Sequence, residues 1–290
     1  MDALPLLALL TAAALAPPLF HAALRRSLTP RRRHDGGEPQ ALGLPAEAIS
    51  LTGGNGKRLF AWHIPAAGMA PAPCAVLLHG WGGHAGDLLP LAAPLHAAGY
   101  ALLLPDARSH GRSEADSFAS LPRFAEDLDC AIDWLRRQPG CDPARLAVVG
   151  HSVGAAAALL AASRRDDVAA VVSIAAFAHP ASLMRRFLAA RHVPFVPLGW
   201  YALRYIERTI GQRFDAIAPE NTIRRVRCPL LLIHGRDDRT VPADEARHLA
   251  QRAGGRAQLL LLAGDHEAFA EPAAGIDAVR DFLAAALARR

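Results

Sequence analysis

Hydrophobic positions in this chain fall into two regimes. From about residue 75 onward, short continuous apolar runs alternate with stretches that favour helix. The runs are 75–78, 101–104, 147–149 and 168–174, and between them lie 88–98, 124–137 and the alanine-rich 155–162. Runs this short and apolar at almost every position predict strands buried on both faces. Such strands alternating with helices predict a parallel sheet with helices on both sides. Ahead of them, 49–52 and 59–64 flank Gly53-Gly54-Asn55-Gly56, which predicts an antiparallel hairpin.

The first 24 residues belong to neither regime. Between Ala3 and Leu24 only Pro5, Thr11, Pro17, Pro18 and His21 interrupt apolar positions, and about 20 apolar residues are enough to cross a bilayer. A cleaved leader carries positive charge ahead of its apolar run, whereas here Asp2 precedes it and Arg25, Arg26, Arg31, Arg32 and Arg33 follow. The pattern predicts a transmembrane anchor over 1–24 with the folded domain on the cytoplasmic side. A leader and a helix lying on the membrane surface are the other two readings. Residues 25–47, with Pro30, Gly36, Gly37, Pro39 and Gly43, read as a basic linker, and 48–290 as the folded domain.

Composition narrows the classes. At 290 residues, with 52% hydrophobic and 20% charged, the chain can bury one large core and is not disordered. Its net charge is +5, but the five arginines ahead of residue 35 carry the excess, leaving 27 basic and 26 acidic residues elsewhere. A folded domain so nearly neutral gives no case for nucleic-acid binding.

Candidate chemistry centres on Gly150-His151-Ser152-Val153-Gly154, between a predicted strand and the alanine helix. Glycines on both sides of a serine at a tight strand-to-helix turn leave its oxygen exposed, the pattern of a nucleophile elbow. Serine needs a base within reach, and the base needs an acid to fix its tautomer. Downstream, the run 229–233 leads into His234-Gly235-Arg236-Asp237-Asp238-Arg239-Thr240-Val241-Pro242, and 258–262 leads into Gly264-Asp265-His266. An acid and then a histidine, His266, each follow a strand, in the order the fold requires. Upstream, His79-Gly80-Trp81-Gly82-Gly83 follows the strand 75–78. This glycine-rich turn lacks the lysine of a phosphate loop. It lets the Trp81 amide point inward beside the Val153 amide as donors to an oxyanion.

These motifs together resemble the serine α/β hydrolases, in the branch that includes serine aminopeptidase-like and monoacylglycerol-lipase-like proteins. The resemblance covers about residues 48–290 and implies the α/β-hydrolase fold. The family pattern His-Gly-x-x-Asp-x-x-Val-Pro selects Asp238 over Asp237 as the acid, with Asp237 as the alternative or a brace of the loop; Asp265 adjoins His266, and neighbours on one backbone rarely face each other, so it is expected to be a loop acid. Asp106-Ala107-Arg108-Ser109-His110-Gly111-Arg112-Ser113 matches a further turn of the branch. Arg108 and His110 are expected to brace the mouth of the site, with substrate contact as the alternative. His151 falls at an elbow position where the family accepts many residues.

More than fifty residues separate the strand ending near Ile174 from the one beginning near Pro229, which predicts a helical cap over about 178–226. Its apolar and aromatic residues are expected to line an acyl pocket, to lean on a membrane, or to pack the cap down. Expected function is hydrolysis of a lipid-like or small hydrophobic acyl ester through Ser152, His266 and Asp238, with no cofactor. Peptidase or amidase chemistry of the same fold is the alternative, and a silent membrane-tethered binding protein is the reading from another class. No metal site is expected, because the 13 histidines lack ligand spacing. Cys74, Cys130, Cys141 and Cys228 show no close pair and are expected to be free thiols. The expected partners are a small-molecule acyl substrate and, through the N-terminal segment, a membrane.

Overall fold

A computed structural model describes residues 18–35, 37–68 and 71–288. The apolar runs form an eight-stranded sheet: β1 Glu47–Thr52, β2 Arg58–Ile64, β3 Ala72–Leu78, β4 Ala101–Pro105, β5 Cys141–His151, β6 Ala170–Ile174, β7 Leu230–Gly235 and β8 Ala257–Leu262. Their order across the sheet is β1-β2-β4-β3-β5-β6-β7-β8. The hairpin β1–β2 and the pair β2–β4 are antiparallel, and every later pair is parallel.

Alternation along each strand divides the core in two. On β5, Leu146 and Val148 face one side with Cys74, Val76 and Leu78 of β3, while Ala147 and Val149 face the other with Ala75 and Leu77. Helices Leu121–Leu135 and Val153–Ala162 cover the first face, and Leu89–Ala97 and Pro272–Leu287 the second. Nine of the ten residues of Val153–Ala162 are buried, and six of the nine are alanine. Small side chains all round let this helix lie against both the sheet and Leu121–Leu135, as a helix buried on every side requires.

Helix Leu121–Leu135 begins three residues earlier than its periodicity predicts. Ser120 caps it by accepting from the Arg123 amide, and Pro122 stands in the first turn, where its missing N–H leaves no orphan. Its Asp127 is fully buried and holds the turn after β4: the carboxylate accepts the Arg108 amide at 2.7 Å and its Nε at 2.8 Å and Nη2 at 2.6 Å. Beside it His79 and His110 are completely buried. The His79 Nε2 accepts the Ala107 amide at 3.0 Å, so its Nδ1–H donates to the Gly80 carbonyl at 2.7 Å. His110 Nδ1–H donates to the Arg108 carbonyl at 3.0 Å. Cys74 and Cys141 lie thiol against thiol, a neighbour relation that their 67-residue separation hides; all four cysteines are unbridged.

Between β6 and β7 stand helices Pro180–Ala190, Trp200–Ile210, Phe214–Ile217 and Pro219–Thr222. The amphipathic Trp200–Ile210 buries Ala202, Leu203 and Ile206 and exposes Trp200 and Tyr201. Arg186 pairs with Glu245 on helix Ala243–Arg252, and the same carboxylate accepts the Ala178 amide at 2.6 Å. This carboxylate ties the insertion to the body of the fold.

The structure corrects the expected membrane localisation. Among the described residues no helix is long and apolar enough to cross a membrane; residues 1–17 lie outside the described residues. The remainder of the expected span falls in a helix over 18–27. That helix packs on the insertion. The His21 ring stacks on Tyr205 with centroids 4.3 Å apart and its Nε2 meets the Tyr201 hydroxyl at 2.6 Å, while Arg25 Nε donates to the Tyr205 hydroxyl at 2.8 Å. The arginines taken as a topology signal also make protein contacts. Arg32 donates to the Gly111 and Ser113 carbonyls, and Arg33 pairs with Asp35 at 3.1 Å and Asp87 at 3.7 Å. Within the described part of that segment, apolar composition missed that His21 has a tertiary partner.

Two expectations follow for stability. Asp127→Ala leaves the Arg108 guanidinium buried without its principal partner, a change that costs about 3–5 kcal/mol. Urea unfolding should show a lower midpoint, and an unchanged midpoint would contradict the role given to this pair. Burial lowers His79 to about 4 and His110 to about 3. An unfolded imidazole titrates near 6.5, so below that pH the unfolded chain binds protons that the folded chain excludes. Stability is therefore full above about pH 6.5 and falls toward pH 4, by about 1.4 kcal/mol per pH unit for each histidine. Unfolding midpoints at pH 7, 6 and 5 measure the slope, which should be shallower in His110→Gln.

Candidate active site

Ser152 stands between β5 and helix Val153–Ala162, with φ 53° and ψ −114°. That is a left-handed region which a serine occupies only under constraint. The constraint is close approach. A Cβ on Gly150 would lie 2.3 Å from the Gly154 carbonyl oxygen, and one on Gly154 would lie 2.4 Å from the carbonyl oxygens of Leu78 and His79. Only glycine at both positions lets β5, the turn and β3 approach so closely. The Ser152 amide is held by the Ile174 carbonyl at 2.8 Å.

Two loops from the far half of the sheet converge on this serine. His266, on the loop after β8, has its Nε2 3.0 Å from Ser152 Oγ and its Nδ1 2.7 Å from Asp238 Oδ2. A carboxylate only accepts, so Nδ1 carries the proton and Nε2 is free to accept from the hydroxyl. Asp238 lies on the turn after β7. Its Oδ1 accepts the Thr240 amide at 2.9 Å and the Val241 amide at 2.8 Å, and His234 Nε2 stands 3.2 Å from Oδ2. Burial opposes ionisation of Asp238, but the hydrogen bonds from His234, His266 and Val241 outweigh it, and the carboxyl lies well below the usual range.

The competing acids are turned elsewhere. Asp237 exchanges contacts with Gly264, its amide donating at 2.9 Å and its carboxylate accepting at 3.4 Å. Asp265 is exposed and accepts the amides of Glu267 and Ala268, both at 2.9 Å. Both acids shape the loop that carries His266. His234 escaped sequence reasoning as a partner of Asp238; its place four residues before the acid, at the end of a strand, was the available signal.

On the other side of the serine is the turn after β3. Neither the Trp81 nor the Val153 amide donates to a protein group among the described residues. The Trp81 ring is 39% exposed and lies over Phe124 and edge-on to His110. Arg108 and His110 are fully buried beneath it. Their hydrogen bonds, Arg108 to Asp127 and His110 to the Arg108 carbonyl, hold the turn after β4. His151 is also engaged: its Nε2 lies 2.9 Å from the His266 carbonyl oxygen. Among the described residues no group of three or more histidines, cysteines or acids is placed to hold a metal ion.

The chain is similar to known proteins. The family described as serine aminopeptidase, S33, matches residues 70–209. An uncharacterized protein of Mycobacterium tuberculosis, Rv2307c, is 30% identical over 232 residues, covering 79% of this chain and 76% of the relative. Esterase YjfP of Escherichia coli (strain K12) is 30% identical over 206 residues, 66% of this chain and 79% of the relative. The Pyrococcus furiosus esterase Pf2001 superposes with a TM-score of 0.73 at 21% identity, over 90% of this chain and 98% of that one. With an eight-stranded, mostly parallel sheet and relatives at this level of identity and coverage, the chain belongs to the serine α/β hydrolase superfamily and is a hydrolytic enzyme.

Proposed function

We propose that this enzyme hydrolyses carboxylic esters through Ser152, His266 and Asp238, with the Trp81 and Val153 amides as oxyanion donors. The observation that carries the reading is the unbroken relay from Ser152 Oγ to His266 Nε2 at 3.0 Å and from Nδ1 to Asp238 at 2.7 Å. It starts from a serine held at a positive φ. In this reading His266 takes the hydroxyl proton as Oγ attacks the acyl carbonyl, and Asp238 stabilises the imidazolium. The two amides receive the charge that develops on the carbonyl oxygen, where removal of one such donor costs about 3 kcal/mol of barrier. The alcohol leaves with the proton from His266. Water then attacks the acyl-enzyme with His266 again as base, and Ser152 is regenerated.

An ester of a hydrophobic acyl group is the substrate class. The relative YjfP is an esterase by name. The exposed Trp81, Phe187, Trp200 and Tyr201 offer aromatic surface on the turn after β3 and on the insertion. The catalytic unit in this reading is 48–290, with the cap at about 178–226. Amide hydrolysis is the second reading, favoured by the description of the matching family as serine aminopeptidases.

Turnover of p-nitrophenyl esters of increasing acyl length, compared with the matching p-nitroanilides, tests both. Ester turnover peaking at one chain length is expected, with a loss of about 10⁴-fold or more in Ser152→Ala and about 10⁴-fold in Asp238→Asn. Full turnover in Ser152→Ala would sink the assignment. Anilide turnover exceeding that of the esters would replace the first reading with the second.

A further inference from the structure

The loop that carries His266 is fastened mainly to the acid's side of the site. Arg236 donates to the Leu262 carbonyl at 2.8 Å and Asp237 to the Gly264 carbonyl at 2.9 Å. Within the loop Asp265 donates to Ala268, and Ala270 to Ala263, each at 2.9 Å. Toward the serine there is far less. Among the described residues, residues 263–271 and the elbow 150–154 share two hydrogen bonds, and both end on His266. Ser152 Oγ meets the His266 imidazole, and His151 Nε2 meets the His266 backbone carbonyl at 2.9 Å.

These two bonds differ in lifetime through the reaction. Once Oγ carries an acyl group it has no proton to donate, and His266 Nε2 must face water instead. The bond from His151 persists because neither partner is consumed. A carbonyl oxygen only accepts, so His151 Nε2 carries the hydrogen and the ring stays in one tautomer. Its position is tightly determined: the ring lies 5.3 Å from the His266 ring, and a Cβ on Gly80 would come within 3.1 Å of its Nδ1. Burial lowers the His151 pKa, against the bond to the His266 carbonyl and the charge of Glu267, which favour protonation. A neutral ring adds no charge against a protonated His266.

We propose that His151 is a positioning residue: its Nε2–H holds the His266 carbonyl and so keeps the imidazole in place when Ser152 is acylated and no longer holds it. The inference rests on the assignment of Ser152 and His266 as nucleophile and base. It concerns deacylation more than acylation, because only in the acyl-enzyme is the second tether gone.

The test uses the full chain and a p-nitrophenyl ester under conditions where deacylation limits kcat. His151→Ala removes the donor without steric demand, His151→Phe removes it with the ring retained, and His151→Gln supplies a donor near the Nε2 position. Melting temperatures identify the variants that fold. In the donor-less variants kcat should fall about 10- to 100-fold, the scale of a misplaced catalytic group. The loss in kcat/KM, which reports acylation, should be smaller, and a burst of p-nitrophenol should precede the slower steady state. His151→Gln should recover kcat to within about 3-fold of the native enzyme. Native kcat in folded His151→Ala, or a loss in folded His151→Gln equal to that in His151→Ala, would overturn the inference. Ser152→Ala is measured alongside. If it is inactive while the His151 variants behave as native, positioning alone fails; if it turns over normally, the nucleophile assignment fails and the positioning inference falls with it.

Discussion

Everything at this site depends on the contact between the β5 turn and β3. Gly154 approaches the carbonyls of Leu78 and His79 so closely that no side chain fits, and Gly150 approaches Gly154 in the same way. That approach forces Ser152 to φ 53°. A strained serine persists only where its surroundings over-determine it. Here the surroundings are two strands at the centre of the sheet and the buried alanine helix that begins at the next residue. The same contact brings the turn at the end of β3 beside the elbow, where a Cβ on Gly80 would lie 3.1 Å from the Ser152 Cβ.

A second layer keeps the turn after β3 from collapsing or opening. Its backbone is not braced by strand pairing, so buried polar side chains do that work. His79 links the Gly80 carbonyl to the Ala107 amide, and Arg108 carries the neighbouring turn to Asp127. Asp106 accepts the amides of Ala85 and Arg112, at 2.6 and 2.7 Å. Buried polar groups are tolerable only when satisfied. A network built this way fixes two loops relative to one another with more geometric definition than apolar packing would. Acid acts on it, because burial lowers the pKa of both His79 and His110.

How much of this was legible in the sequence follows from the range of each interaction. The strands, the hairpin and the elbow are local patterns, and glycine spacing around Ser152 records a steric demand within five residues. The assembly of Ser152, Asp238 and His266 was readable because each follows a strand, and parallel strands bring their ends to one edge of the sheet. The N-terminal segment misled. Its apolar count treated Leu19, Phe20 and Ala22 as one run, whereas His21 and Arg25 have partners 180 residues away on Trp200–Ile210. No window along the chain contains that fact. The choice of Asp238 over Asp237 needed the family pattern, since two adjacent carboxylates differ only in which way the turn directs them.

His151 illustrates the same limit from the other direction. Beside Ser152, in a turn where the family accepts many residues, its identity carries no local message; only the arrival of the loop after β8, 115 residues later, gives its Nε2 an acceptor. Rigid elements place the serine, but His266 arrives on a loop, and a loop has the looser geometry of the two. In the proposed mechanism one imidazole serves two successive steps and must be held while its hydroxyl partner is absent. On that proposal the residue that holds it is the serine's own neighbour, whose Nε2 reaches the His266 carbonyl at 2.9 Å.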